Sequence, residues 1–240
     1  MKIEVWSDFV CPFCYIGKRR LEQAIENFDH KDKIVINYKS YELDPDAEET
    51  TNESMHEILA KKYNMPIEQA KQMNENVASQ AKEVGLEYNF DSMKNANTFD
   101  AHRVVKAAAK DSKEKEMVER LLKAHFTDGK QISDHETLIM LANEVGVDHE
   151  RVQSVLESRK YSAYVRDDEE QAAQIGVQGV PFFVFNEKYA VSGAQPSEVF
   201  KEVLEKVWEE ENKNPILQTL TPKDSETTYC TDEECKGEKN

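Results

Sequence analysis

The amino-acid sequence predicts an α/β fold: a small sheet interrupted by an all-α-helical insertion and followed by a flexible C-terminal tail. Lys2-Ile3-Glu4-Val5-Trp6 alternates as a strand does, and a helical stripe follows it directly. Between about residues 50 and 175 every apolar pattern has helical spacing, and strand character returns only over residues 180–192.

Residues 2–6 read as a strand and roughly 10–28 as a helix, with Ile16, Leu21, Ala24, Ile25 and Phe28 at helical spacing. Residues 33–40 alternate Ile34, Ile36 and Tyr38, which marks a second strand. Leu43-Asp44-Pro45-Asp46 then breaks regular structure. Pro66 opens a helix whose stripe Ala70, Met73, Val77, Ala81 and Val84 stops at Gly85. Asn97 or Thr98 caps a helix carrying Ala101, Val104, Val105 and Ala108, and Met117, Leu121, Leu122 and Phe126 mark another, closed by Asp128-Gly129. Ser133 or Asp134 starts a further helix with Leu138, Leu141 and Val145, and Asp148 starts one with Val152, Val155 and Leu156. These stripes are core faces rather than cofactor-binding surfaces. Residues 180–185 form a buried-strand run, Asn186-Glu187-Lys188 a turn, and residues 189–192 the return strand of a hairpin. A last helix, about 196–210, turns Val199, Phe200, Val203, Leu204 and Val207 inward. The order β-α-β, helical block, β-β-α is that of a thioredoxin-like sheet with a helical domain spliced into its middle. Residues 1–45 and 176–210 are therefore expected to form the thioredoxin-like domain, 46–175 the helical insertion and 211–240 the tail.

Of the 240 residues, 39% are apolar and 32% charged, and no run approaches the ~18 apolar residues of a membrane span, as in a soluble globular protein. The net charge of −16 argues against nucleic-acid backbones and anionic membranes as partners. A strand beginning at Lys2 leaves no room for a secretory signal before the cysteines, so the expected compartment is the cytoplasm. Structural disulfides are disfavoured there, and paired cysteines point to catalysis or metal binding.

Cys11-Pro12-Phe13-Cys14 lies where a strand hands over to a helix. A helix starting near Cys11 aims its unpaired N–H groups and the positive end of its dipole at the first sulfur, which favours the thiolate. Lys18, Arg19 and Arg20 would add to that potential, or form an ordinary solvated helix face. Cys14, three residues on, shares the helix face and is placed to close a disulfide. The expected chemistry is thiol–disulfide exchange, with Cys11 as nucleophile and Cys14 as resolving thiol. A zinc site would need a second short cysteine or histidine pair, and none is present. Cys230 and Cys235 lie in the polar tail; on a continuous helix they would be beyond disulfide reach, so bridging them requires a turn. The intervening Asp232, Glu233 and Glu234 should raise their thiol pKa values.

The Cys11–Cys14 motif, the helical insertion and Gly179-Val180-Pro181 before the late hairpin together resemble the DsbA-like branch of the thioredoxin-fold proteins. Ser7-Asp8-Phe9-Val10 before the motif, and Asn97-Thr98-Phe99-Asp100-Ala101-His102-Arg103, are most similar to the FrnE type of disulfide oxidoreductase. The resemblance covers roughly residues 1–210. It implies that Pro181 is a cis-proline lying against the active-site disulfide, with the Val180 backbone left to bind an extended substrate strand. It puts Phe13 in place of the histidine of strongly oxidising relatives, and His102 near the active-site groove. From the residues alone Val180-Pro181 is a strand-initiating X-Pro, and His102 is equally a partly buried histidine satisfied by a neighbour.

The expected activity is that of a cytoplasmic protein dithiol–disulfide oxidoreductase without metal or organic cofactor. Its partners would be protein thiols and disulfides, with a small thiol or a thioredoxin-type protein as recycling partner, and Cys230 and Cys235 would act as an accessory redox pair. The same scaffold serves glutathione-dependent isomerases and kappa-class glutathione transferases, which typically carry serine where this chain has Cys11. A third alternative is a zinc- or redox-sensing module in which all four cysteines converge.

Overall fold

A computed structural model describes residues 1–48, 53–212, 227–230 and 235–238. Strand β1 (Lys2–Ser7), helix α1 (Pro12–Glu26) and strand β2 (Val35–Ser40) form the opening β-α-β unit, with β1 and β2 parallel and Ile3 opposite Ile36. Then come α2 (Met55–Lys62), α3 (Ile67–Glu83), α4 (Phe99–Ala108), α5 (Glu114–Phe126), α6 (His135–Glu144), α7 (His149–Leu156) and α8 (Ser162–Gln174). The hairpin β3 (Phe182–Phe185) and β4 (Tyr189–Ser192) returns to the sheet, and α9 (Ser197–Asn212) follows. The sheet order is β2-β1-β3-β4, with β3 antiparallel to both of its neighbours.

Alternation along each strand gives the sheet two apolar faces. Ile3 and Val5 of β1 and Phe183 and Phe185 of β3 join Leu21 and Ala24 of α1 and Phe200 and Leu204 of α9 in one core. That core continues into the insertion through Val104, Leu121, Leu122 and Leu138. On the alternate positions Trp6, Phe182 and Val184 meet Ala172 of α8 and Val177. The Trp6 indole donates to the Asp168 carbonyl at 2.9 Å. The chain divides into two compact units, Met1–Trp208 and Glu209–Asn240.

The α/β architecture and element order follow the expectation, and the differences have local causes. Helix α1 begins at Pro12, because Cys11 is still extended (φ −88°, ψ 111°) and proline fits the first helical position. β2 starts at Val35 because Lys31–Lys33 form a 3-10 turn. Helices α2 and α8 carry no clean apolar stripe and were not anticipated; α2 announces itself instead by a capping box between Ser54 and Glu57. Asp134 and Asp148 cap α6 and α7 as expected, accepting from Thr137 and Arg151 N–H. In the tail, β5 (Thr227–Cys230) and β6 (Cys235–Glu238) pair antiparallel where no regular structure was expected. Asp232, Glu233 and Glu234 lie outside the described residues.

Candidate active site

Cys11 is the N-cap residue of α1 and Pro12 follows it, so the first turn carries no carboxylate and the positive end of the helix faces Cys11. The Cys14 N–H donates back to the Cys11 carbonyl at 3.0 Å, which seats both cysteines in the first turn. The Cys11 thiol faces the Val180 carbonyl at 3.4 Å. The Val180–Pro181 peptide is cis, as the resemblance implied. Pro181 packs onto α1 beside Gly17, where any β-carbon would lie 2.9 Å from its ring. A groove of about 400 Å³ runs along Gly176, Gly179, Val180, Pro181, Ser192 and Gly193.

Both thiols are nearly closed off, Cys11 at 4% and Cys14 at 2% exposure, and both are free cysteines. The outward member of the motif is Phe13, 39% exposed. Cys14 accepts from the Asp8 N–H at 3.4 Å and interacts with the Ser7 hydroxyl. Burial, then the adjacent Cys11, pushes the Cys14 thiol well up, against the smaller opposing pull of these two donors. Tyr88, from the segment between α3 and α4, donates its hydroxyl to the Pro12 carbonyl at 2.7 Å, bringing the insertion over the motif.

The basic residues after the motif are spent elsewhere. Lys18 is buried and paired with Glu22 (2.9 Å) and with Glu119 of α5. Arg19 reaches the same two carboxylates at 2.8 and 2.7 Å, and Arg20 donates to the Ala194 carbonyl at 2.5 Å. They lock α1 to its neighbours; for Arg19 and Lys18 the solvated-face alternative does not hold.

His102 lies behind the motif, 2% exposed, its ring 4.6 Å from that of Phe9 and its Nε2 3.6 Å from Asp8 Oδ1. It is thus a buried residue rather than one lining the groove, and Nε2 finds no hydrogen-bond partner among the described residues. Its neighbour Arg103 caps the end of α7, donating to the carbonyls of Val155, Ser158 and Lys160. Sequence reasoning missed Ser7 and Tyr88 as contacts of the motif, and Asp8, whose Oδ2 accepts from the Leu43 N–H at 2.8 Å. It also missed His125, fully buried with both ring nitrogens unpartnered among the described residues and held neutral, its pKa lowered to about 4 by burial despite Asp8 nearby.

Among the described residues no cluster of histidine, cysteine and carboxylate side chains is suited to a metal. In the antiparallel pair of β5 and β6, Cys230 stands directly opposite Cys235.

The profile of the DSBA-like thioredoxin domain matches residues 2–205. The chain belongs to the DSBA-like thioredoxin family. It is accordingly a thiol–disulfide oxidoreductase by family. The probable DsbA oxidoreductase SCO1869 of Streptomyces coelicolor has a crystal structure 35% identical to this chain, with a TM-score of 0.84 over 98% of each chain. The uncharacterized protein YwbO of Bacillus subtilis (strain 168) is 28% identical over 207 residues, 84% of this chain and 94% of its own. A 2-hydroxychromene-2-carboxylate isomerase shares the fold at 14% identity and a TM-score of 0.64, over 88% of this chain and 98% of its own. Among the described residues no helix is long and apolar enough to cross a membrane.

Proposed function

We propose that this protein is a cytoplasmic protein dithiol–disulfide oxidoreductase of the FrnE type. The observation that carries the reading is the Cys11 sulfur at the N-terminus of α1, 3.4 Å from the Val180 carbonyl beside Pro181, with Cys14 behind it. Cys11 attacks a substrate disulfide, one substrate sulfur leaves as thiol, and the other is held in a mixed disulfide with Cys11. Cys14 then attacks Cys11, releases the second substrate thiol and leaves the Cys11–Cys14 disulfide, which a small thiol or a thioredoxin-type protein reduces. Run backwards, the same steps oxidise a dithiol substrate. Val180 and Pro181 position an extended peptide along the groove, and exposed Phe13 meets its side chains. The partners are protein thiols and disulfides, and no metal or organic cofactor takes part.

Cys230 and Cys235 form an accessory redox pair. Directly opposed residues of an antiparallel pair have α-carbons roughly 4.5–5.5 Å apart, within the range a disulfide spans. The test is trapping: Cys14→Ser incubated with a disulfide peptide should accumulate a mixed disulfide at Cys11, and Cys11→Ser should lose insulin reduction altogether. A Cys11→Ser variant that retained or gained glutathione-dependent isomerisation or conjugation would replace this reading with that of an isomerase or transferase.

A further inference from the structure

Tyr88, in the segment between α3 and α4, meets the cysteine motif at the Pro12 carbonyl, which accepts its hydroxyl at 2.7 Å. Neighbouring rings fix it there. The Tyr88 ring stacks on Phe126 with centroids 4.6 Å apart and on Tyr15 at 6.2 Å, and stands T-shaped to Phe90 at 5.9 Å. Burial first, and then charge on Cys11, ahead of Tyr15 and Cys14, holds the hydroxyl protonated, so it remains a donor.

The peptide that Tyr88 holds has its other end, the Phe13 N–H, at the second position of α1. A residue at the N-cap can take the N–H of the second or third helical residue on its side chain. The Cys11 thiol makes no such bond, and faces the Val180 carbonyl at 3.4 Å instead. A thiolate has no hydrogen to donate and is repelled by a carbonyl oxygen, so ionisation turns the sulfur toward N–H donors. Pro12 supplies none at the first helical position, and the Cys14 N–H already donates to the Cys11 carbonyl. That leaves the Phe13 N–H, which has no partner among the described residues. Donation to the carbonyl end of a peptide polarises it and strengthens its N–H as a donor, by about 10–30% per bond.

We propose that Tyr88 is a positioning residue for the exchange reaction: its hydroxyl holds and polarises the Pro12–Phe13 peptide, so that the Phe13 N–H receives the Cys11 thiolate. This rests on the reading of Cys11 as the nucleophile. Tyr88 gives up no proton and carries no electron. It acts wherever Cys11 bears charge: as the attacker on a substrate disulfide and, in the reverse direction, as the thiolate released when a substrate thiolate breaks the mixed disulfide.

The charged groups around the motif are engaged elsewhere. Asp8 and His102 stand 3.6 Å apart behind it, and His125 is neutral. Lys18 and Arg19 are held by Glu22 and Glu119, and Arg20 by the Ala194 carbonyl. The groove on the Val180 side is lined by glycine, glutamine, serine and apolar residues, and Cys14 is kept as the thiol by burial.

The test is Tyr88→Phe, which keeps the ring and removes the donor. Iodoacetamide labelling of Cys11 in the reduced full chain, read by mass spectrometry between about pH 4 and 9, should slow roughly threefold on the acid side of the profile and converge with the parent at the alkaline plateau. That is a rise in the midpoint of about half a pH unit. In glutathione buffers at plateau pH the Cys11–Cys14 disulfide should gain about threefold over the dithiol, a potential lower by about 14 mV. A 3-fluorotyrosine placed at position 88, the stronger donor, should move both readouts the opposite way. A hydrogen bond that only docks the insertion onto α1 would lower Tm and leave pH profile and potential parental; that result overturns the assignment, as does a shift of the same sign in Tyr88→Phe and in the fluorotyrosine protein. A parent in which Cys11 is labelled no faster than Cys14 overturns the reading of Cys11 as nucleophile, and the assignment with it.

Discussion

At Gly17 the helix bearing the cysteines packs closely against Pro181, and Gly17→Ala sets two effects against each other. Alanine in the interior of α1 gains about 1 kcal/mol of helix propensity over glycine. Its β-carbon would lie 2.9 Å from Pro181 Cγ, 3.2 Å from Phe183 Cζ and 3.4 Å from Ala194 Cα. Phe183 is fully buried with its ring 4.8 Å from that of Phe200, and the Ala194 contact is backbone, so neither yields readily. Forced overpacking of this kind costs typically about 1–3 kcal/mol. The balance is a loss of between zero and about 2 kcal/mol, or at most ~8 °C in Tm for a domain of this size. The functional effect should be larger, because Pro181 is the nearest neighbour and carries with it the Val180 carbonyl that faces Cys11. A shift of a few tenths of an ångström in such a positioning group should lower kcat/KM for peptide disulfide reduction about tenfold. Thermal melting and steady-state reduction, run on the same preparation, check both. A variant that melts higher and reduces substrate at the parental rate would show that the loop gives way freely and that this contact does not position the substrate.

Cys14 should resist alkylation up to about pH 9 while Cys11 is labelled, because burial and the neighbouring sulfur raise its pKa and deplete the reactive thiolate; equal labelling of the two in the folded protein, read by mass spectrometry, contradicts this. Glu119 is lowered to about 2: burial would raise it, but Lys18, Tyr15 and Arg19 prevail. A depressed carboxylate stabilises the fold above its unfolded pKa of 4.5 and loses that contribution as pH falls toward 2, so Glu119→Gln should cost roughly 1–2 kcal/mol at pH 7, allowing for partial exposure, and nearly nothing near pH 2. Denaturant titrations of parent and variant between pH 7 and about 2 measure this, and a pH-independent difference would refute it. Asp168→Asn should destabilise by about 3 kcal/mol, because it leaves Lys106 without its buried counter-charge and Lys39 with only Glu4, at 3.7 Å; a loss below ~1 kcal/mol in the same assay would mean that Lys106 finds solvent instead.

The parts of this site that were legible in the sequence are those encoded locally. A strand, a cysteine at the N-cap, proline at the first helical position and a second cysteine one turn on can be read within a dozen residues. The aspartate caps of α6 and α7 are likewise local. Pro181 lies 170 residues from Cys11 and was reached through the resemblance rather than through periodicity. The second carboxylate shared by Lys18 and Arg19 was illegible because Glu119, unlike Glu22, is about 100 residues away and looks like any helical glutamate. Asp8 and Ser7 were read only as part of a resembling string, since nothing in the order of residues tells that a carboxylate and a hydroxyl there turn inward. His125 sits in an amphipathic pattern where a histidine at the edge of the stripe is ordinarily solvated, and only packing shows it sealed.

These long-range partners give the helical insertion a part in the chemistry beyond covering the sheet. Tyr88 holds the Pro12 carbonyl, Glu119 holds the helix that follows the cysteines, and His102 stands against Asp8, the residue whose N–H reaches Cys14. Each of these contacts lands on the segment 8–19. The hairpin side contributes Val180 and Pro181, which face Cys11. The two sulfurs are thereby divided between two neighbourhoods: Cys11 faces the Val180 carbonyl beside the groove, and Cys14 meets the Asp8 N–H and the Ser7 hydroxyl, with His102 of the insertion standing against Asp8. Exchange needs that division, because the first thiol must meet a peptide and the second must wait, protonated, until a mixed disulfide forms in front of it. Loosening the insertion at His102 should therefore disturb closure by Cys14 before it disturbs attack by Cys11.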